Sequence, residues 1–297
     1  MSQLEASVED LFKKWRGGDA EAGQAMAQKF TDWYYAVSAS RLGDAQGRAP
    51  LQQACAAFAQ GISTVTRTAD LTGWAHEIIQ REIDGAGGRI GGGDFPNALT
   101  GHRSPTELLS QIRGHLAPDQ VALLHATYAP DMTVEALTAL AEEHGGWPQA
   151  VLEARYATKR ALRDVTRVNF AVVPDAPVLD RAPLPLYEAA RLASREEDAA
   201  FEQWLVTELD LCRDVAEFAT FSHALRAGAF RAPSLDVMAP EPPAPASPAP
   251  APAAPEVDEY DEPRSGPPAV AIGAAVVCVL LALVAIVVVL FFFLDPQ

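Results

Sequence analysis

The sequence predicts an all-α protein: two small helical domains, the second laid out as a helix-turn-helix, a third short helical module, a disordered proline-rich spacer and one C-terminal transmembrane helix. Three observations carry that expectation. Apolar residues recur at three- and four-residue spacing through 8–84, 105–168 and 184–229, and no period-two run of β-branched residues interrupts them. Helix breakers and capping residues divide these stripes at regular places. Finally, 269–294 reads AVAIGAAVVCVLLALVAIVVVLFFFL, roughly 26 residues without a charge. As a helix it would span about 39 Å, against a bilayer core of about 30 Å, so it is long enough to cross once. It is apolar all round rather than striped, and only Asp295, Pro296 and Gln297 follow it. The chain is expected to be tail-anchored.

Within 8–84, Gly17 and Gly18 form a break and Asp19 is placed to cap the next helix. Met26, Phe30, Trp33, Tyr34 and Val37 make its apolar stripe, which ends near Leu42 and Gly43. A second helix fits 50–62, with Leu51, Cys55, Phe58 and Ile62 on one face. A third fits 71–83, with Leu71, Trp74, Ile78 and Ile79 inward. The stretch 85–104 is a glycine-rich linker, and it fails as a phosphate loop because no Gly-Lys-Ser/Thr follows it.

In 105–168, Pro118 starts a helix carrying Val121, Leu124 and Tyr128; Ala129-Pro130-Asp131 ends it, and Thr133 begins another with Leu137 and Leu140. Gly145-Gly146-Trp147-Pro148 makes a turn, with Pro148 suited to a first helical position. A last helix carries Val151, Arg155, Lys159, Arg160 and Arg163. Helix, turn and helix at this spacing is the layout of a DNA reader.

In 184–229, Ser194 and Glu197 make a capping box. Phe201, Leu205, Leu209, Cys212, Val215, Phe218, Phe221 and Leu225 form one stripe. Isolated His223 reads as a surface or partly packed histidine. After it, 233–268 is a proline-alanine spacer with an acidic end, favouring polyproline II at about 3.1 Å per residue.

Net charge is -16 and unevenly spread: the first 170 residues hold 16 Lys and Arg against 20 Asp and Glu, whereas 171–267 holds 7 against 18. Acid in the second half argues against that half gripping nucleic acid or an anionic membrane surface. Cys55, Cys212 and Cys278 show neither disulfide nor metal-ligand spacing. The first residues lack the apolar run of a secretory signal, so the domains before 269–294 are expected in the cytoplasm, tethered to the inner membrane by a single pass through lipid.

The stretch LFKKWRGGDAEAGQAMAQKFTDWYYAVSASRLGD resembles the opening helix of region 2 of extracytoplasmic-function RNA polymerase sigma factors, and ADLTGWAHEIIQREI the tryptophan-bearing helix that closes it. At the family's polymerase-docking D-x-x-Q-E-x-F positions stand Gln52, Cys55, Ala56 and Phe58, leaving Phe58 to carry that contact. LAPDQVALLHATYAPDMTVEALTALAEEHGGWPQAVLEARYATKRALRDV resembles region 4, with a turn about three residues longer. LPLYEAARLASREEDAAFEQWLVTELDLCRDVAEFATFSHALRAG is similar to the zinc-finger type of anti-sigma domain. Its ligand positions read Leu205, Leu209 and Cys212, so no zinc is expected.

The resemblance implies DNA contact through Gln149 at the start of the last helix, and through Arg155, Lys159, Arg160 and Arg163 to the phosphate backbone. Without it, those cations read as a solvated basic helix end. No nucleophile, histidine cluster or cofactor motif supports catalysis, so neither an enzyme nor a cofactor is expected. Two functional readings follow. One is a membrane-tethered sigma-factor-like regulator, with RNA polymerase core and promoter DNA as partners, autoinhibited by its acidic third module and released by proteolysis in the spacer. The other is a membrane-anchored adaptor that keeps the scaffold and binds proteins.

Overall fold

Capping side chains fix where several helices begin in the computed structural model, which describes residues 6–86, 97–176 and 179–230. Ser7 accepts from the Asp10 amide to start α1 (Val8–Arg16), and Asp19 accepts from the Ala22 amide at 3.0 Å to start α2 (Ala20–Leu42). Next come α3 (Asp44–Gly61), α4 (Leu71–Gly85), α5 (Pro105–Ile112), α6 (Pro118–Tyr128) and α7 (Val134–Glu143). The order ends with α8 (Gln149–Thr166), α9 (Leu184–Glu188), α10 (Arg195–Thr207) and α11 (Leu209–Arg226). Among the described residues the regular structure is entirely helical. No helix there is long and apolar enough to cross a membrane. The apolar stretch 269–294, the spacer 233–268 and 87–96 of the glycine-rich linker lie outside the described residues.

Two boundaries differ from the sequence reading. Helix α3 starts six residues before Pro50 and carries that proline inside it. Gly43 adopts φ +83°, a left-handed turn that reverses the chain at once, and Gly47 then lies against the backbone of α2. A Cβ at Gly47 would sit 2.9 Å from the Ser38 carbonyl, so the close crossing of α2 and α3 needs glycine there. Tyr35 donates to Asp44 at 2.9 Å and holds the new N-terminus down. At the other boundary, Pro148 is the residue before α8 rather than its first. The Ser194 cap is as expected, except that Glu197 reaches back to the amide of Ala193 at 3.1 Å.

The predicted stripe of α2 is core throughout: Met26, Phe30, Trp33, Tyr34 and Val37 are all buried. Packing around them divides into two apolar clusters. The first is built on α1–α4 and takes in Leu152 and Tyr156 of α8 with residues of α9 and α10; the second is built on α5–α8. Helix α11 belongs to both. Its first half places Leu211, Cys212 and Val215 in the first cluster, and its second half places Phe218, Phe221, Ala224 and Leu225 in the second. It buries 12 of its 18 residues, the signature of a helix surrounded by protein rather than laid on a surface.

The three segments expected as domains therefore lie within one compact unit. Its seams are polar as well as apolar. Trp33 of α2 donates its indole N–H to the Glu202 carbonyl of α10 at 2.6 Å, and Asn97 donates to Thr220 of α11 at 2.8 Å. The α2–α3 crossing yields a direct test: Gly47→Ala should lower unfolding stability by about 1–3 kcal/mol through overpacking. Gly73→Ala, where an added Cβ meets nothing, should raise it by about 0.5–1 kcal/mol, both read by urea denaturation.

Candidate functional site

Two buried acid–base clusters stand out, and in each a carboxylate from 184–229 holds cations from the earlier segments. The first surrounds α8. Arg155 and Lys159, one turn apart on that helix, have fully buried side chains. Asp214 of α11 receives the Arg155 guanidinium at 2.9 Å and the Lys159 ammonium at 2.6 Å on one oxygen. Its other oxygen accepts from Tyr156 at 3.0 Å and Arg181 at 3.4 Å. Glu188 of α9 takes Arg155 in a two-bond fork at 2.6 and 2.8 Å and accepts from Tyr128 at 2.9 Å. Glu217 completes the set, bonding Lys159 at 3.0 Å and the Ala171 amide at 2.7 Å.

Arg155, Lys159 and Arg181 thus face Asp214, Glu188 and Glu217, so the cluster is charge-balanced out of water. Burial alone would raise the Asp214 carboxyl, but Arg155 and Lys159 outweigh it and hold it below the usual carboxylate range. Burial dominates at Glu188 and pushes it up despite the Arg155 fork. Burial also opposes the charge of Arg155, yet Asp214 and Glu188 keep it protonated well above its ordinary range. Aromatic faces enclose the cations: Phe218 lies 4.5 Å from the Arg155 guanidinium and Phe170 4.7 Å from the Lys159 ammonium.

The second cluster centres on Glu202 of α10. One oxygen accepts from Arg41 at 2.8 Å and Tyr187 at 3.0 Å; the other lies 2.8 Å from His76 and accepts from Gln80 at 2.6 Å. Asp198 adds a second contact to Arg41 at 3.0 Å. Burial works against the Arg41 charge, but Tyr187, Glu202 and Asp198 hold it above its ordinary value. Helices α2 and α4 are in this way fastened to α10.

The residues expected to contact DNA are not brought together on one exposed face. Gln149 and Arg163 are exposed, Arg163 pairing with Asp164 at 3.0 Å. Arg160 is half-buried between Glu153 and the Pro174 carbonyl. Arg155 and Lys159 point the other way, into the core, and in this arrangement cannot reach a phosphate. The reason was present in the spacing: Leu152, Arg155, Lys159 and Leu162 fall on one inward face.

Phe58 likewise is no surface contact. It is buried with its ring 4.5 Å from Phe30 and 5.6 Å from Trp74, wedged between α2 and α4. His223, expected near the surface, is buried and donates from Nε2 to the Ala39 and Ser40 carbonyls at 3.0 Å each. It thereby adds a partner to carbonyls in the last turn of α2. Of the positions that the resemblance aligns with zinc ligands, Leu205 and Cys212 are packed in the first core, and burial pushes the Cys212 thiol up to about 12. Glu202 and Asp214 went unseen in the sequence, although Asp214 falls between Leu211 and Phe218 on the apolar stripe, where a carboxylate needs a partner.

Removing the Asp214 charge would leave Arg155, Lys159 and Arg181 facing only Glu188 and Glu217 in a buried site. Asp214→Asn should therefore cost about 3–5 kcal/mol near neutral pH, more than Glu188→Gln. A carboxylate depressed in the fold contributes above its unfolded pKa of about 3.9 and loses that contribution as pH falls through the folded value. The gap between wild type and Asp214→Asn should accordingly close in acid. Urea denaturation from neutral to acidic pH measures it.

Compared with known proteins, the chain matches no family model, no curated protein and no solved structure.

Proposed function

We propose that the chain is a non-catalytic, membrane-tethered regulator of sigma-factor-like organisation, held in a closed state by its own third helical segment. The observation that carries this reading is the burial of Arg155 and Lys159, two of the cations best placed to meet DNA backbone, against Glu188, Asp214 and Glu217. Carboxylates on α9 and α11 pair with cations that the family resemblance assigns to phosphate contact. Glu202 likewise pairs with Arg41 of the first segment. The partners of the open state are RNA polymerase core and promoter DNA, and 269–294 supplies the tether to lipid.

Release by cutting the spacer does not follow from this arrangement. Residues 233–268 come after α11, so cleavage there separates the chain from 269–294 and leaves every masking carboxylate in place. Opening has to be driven by a partner that takes α11 out of two cores at once. Burial of Phe218 or Phe221 alone is worth roughly 1.5–3 kcal/mol, so that partner must bind tightly. The same depth of burial favours the second reading, a permanent interaction scaffold in which α8 never meets DNA.

Duplex DNA binding separates the two. The full chain should not retain DNA at low salt, while Asp214→Asn combined with Glu217→Gln should gain weak, salt-sensitive binding. A variant that keeps its helical circular dichroism yet binds neither DNA nor core polymerase would sink the regulator and leave the scaffold. The tether is tested separately. Deleting 269–294 should move the protein from the membrane fraction to the soluble one; retention of the shortened chain on membranes would refute the anchor.

A further inference from the structure

The turn before α8 delivers a tryptophan to a groove that neither cluster uses. Gly145 and Gly146 adopt φ +116° and +91°, conformations open to glycine, and together they swing Trp147 out ahead of α8. Trp147 meets Leu186 of α9, Leu192 beyond it, and Phe201 and Trp204 of α10 around an open cavity of about 480 Å³. Four of these five, all but Phe201, are half-exposed rather than buried. The charged member of the lining is Glu197, and Glu142 sits at the Trp147 edge, accepting from its amide at 3.3 Å. None of the described lining residues is Lys or Arg.

An apolar floor with two half-exposed indoles and a carboxylate rim has a definite complement. Indole rings accept aliphatic side chains, and their faces attract a cation; the rim carboxylates do the same. From this we infer that the groove is a docking site for a basic peptide segment of a partner protein, with a bulky apolar anchor on the indoles and Lys or Arg toward Glu197 and Glu142. Such a site suits a protein that is held in place and recruits others, and it does not depend on whether α8 ever reads DNA.

Selection from a displayed library of random short peptides against the full chain tests the inference. Enriched peptides should carry an aromatic or aliphatic anchor within a few residues of Lys or Arg. Their affinity should fall about tenfold with Trp147→Ala, as expected for truncation of an aromatic anchor, and comparably with Glu197→Lys. Trp147 is half-exposed and Glu197 exposed, but Glu197 also accepts from the Ala193 amide, so thermal melting of both variants checks that the fold persists. Enrichment of acidic or neutral proline-rich peptides would overturn the proposal. So would binding indifferent to both substitutions, a library that yields no binder, or self-association of the chain lost with Trp147→Ala.

Discussion

Asp214 is a carboxylate with no water to lean on, and much of the arrangement around it follows from that. It can be ionised inside the protein because three cations and the Tyr156 hydroxyl converge on its two oxygens. Those donors come from α8 and from the segment leading into α9, so satisfying one side chain fixes the position of three parts of the chain. Glu188 and Glu217 then balance the remaining charge. A hydrophobic contact would tolerate sliding; a fork from Arg155 onto Glu188 and Asp214 does not.

Helix α11 is placed by this demand. With Asp214 locked to α8, Leu211, Cys212 and Val215 beside it face the first cluster, and Phe218 and the apolar residues after it face the second. His223 and Arg226 then reach the open carbonyls at the end of α2, each bonding Ser40. The helix that looks terminal in sequence is central in space. What resembles a separate inhibitor in the order of segments is, in packing, the shared wall of two cores.

The helices were legible in the sequence because periodicity and caps report local physics. The α2 stripe from Met26 to Val37, the Asp19 cap and the break at Pro130 all needed nothing beyond neighbours a few residues away. Pro50 misled because a proline is a strong start signal, and the stronger determinant, the tight turn at Gly43 with the crossing at Gly47, is tertiary. Arg155 and Lys159 misled for a different reason. Their inward spacing was visible, but their partners lie 33 to 59 residues away, and no local rule announces a distant carboxylate. Phe58 sits at a position that the family resemblance marks for docking, yet Phe30 and Trp74 claim it for the core. A resemblance transfers positions; only packing decides which way a side chain points.

The place of α11 in the chain has a consequence for how the protein is made. Both cores lack a wall until residues 209–226 have left the ribosome, while Trp33 and Arg155 are synthesised long before their acceptors on α10 and α11 exist. At about 5–20 residues per second, the region containing α1–α4 waits on the order of ten seconds for its last helix. During that interval its apolar residues and unpaired cations are open to whatever is nearby, so the nascent chain, rather than the finished one, is the form most in need of a chaperone.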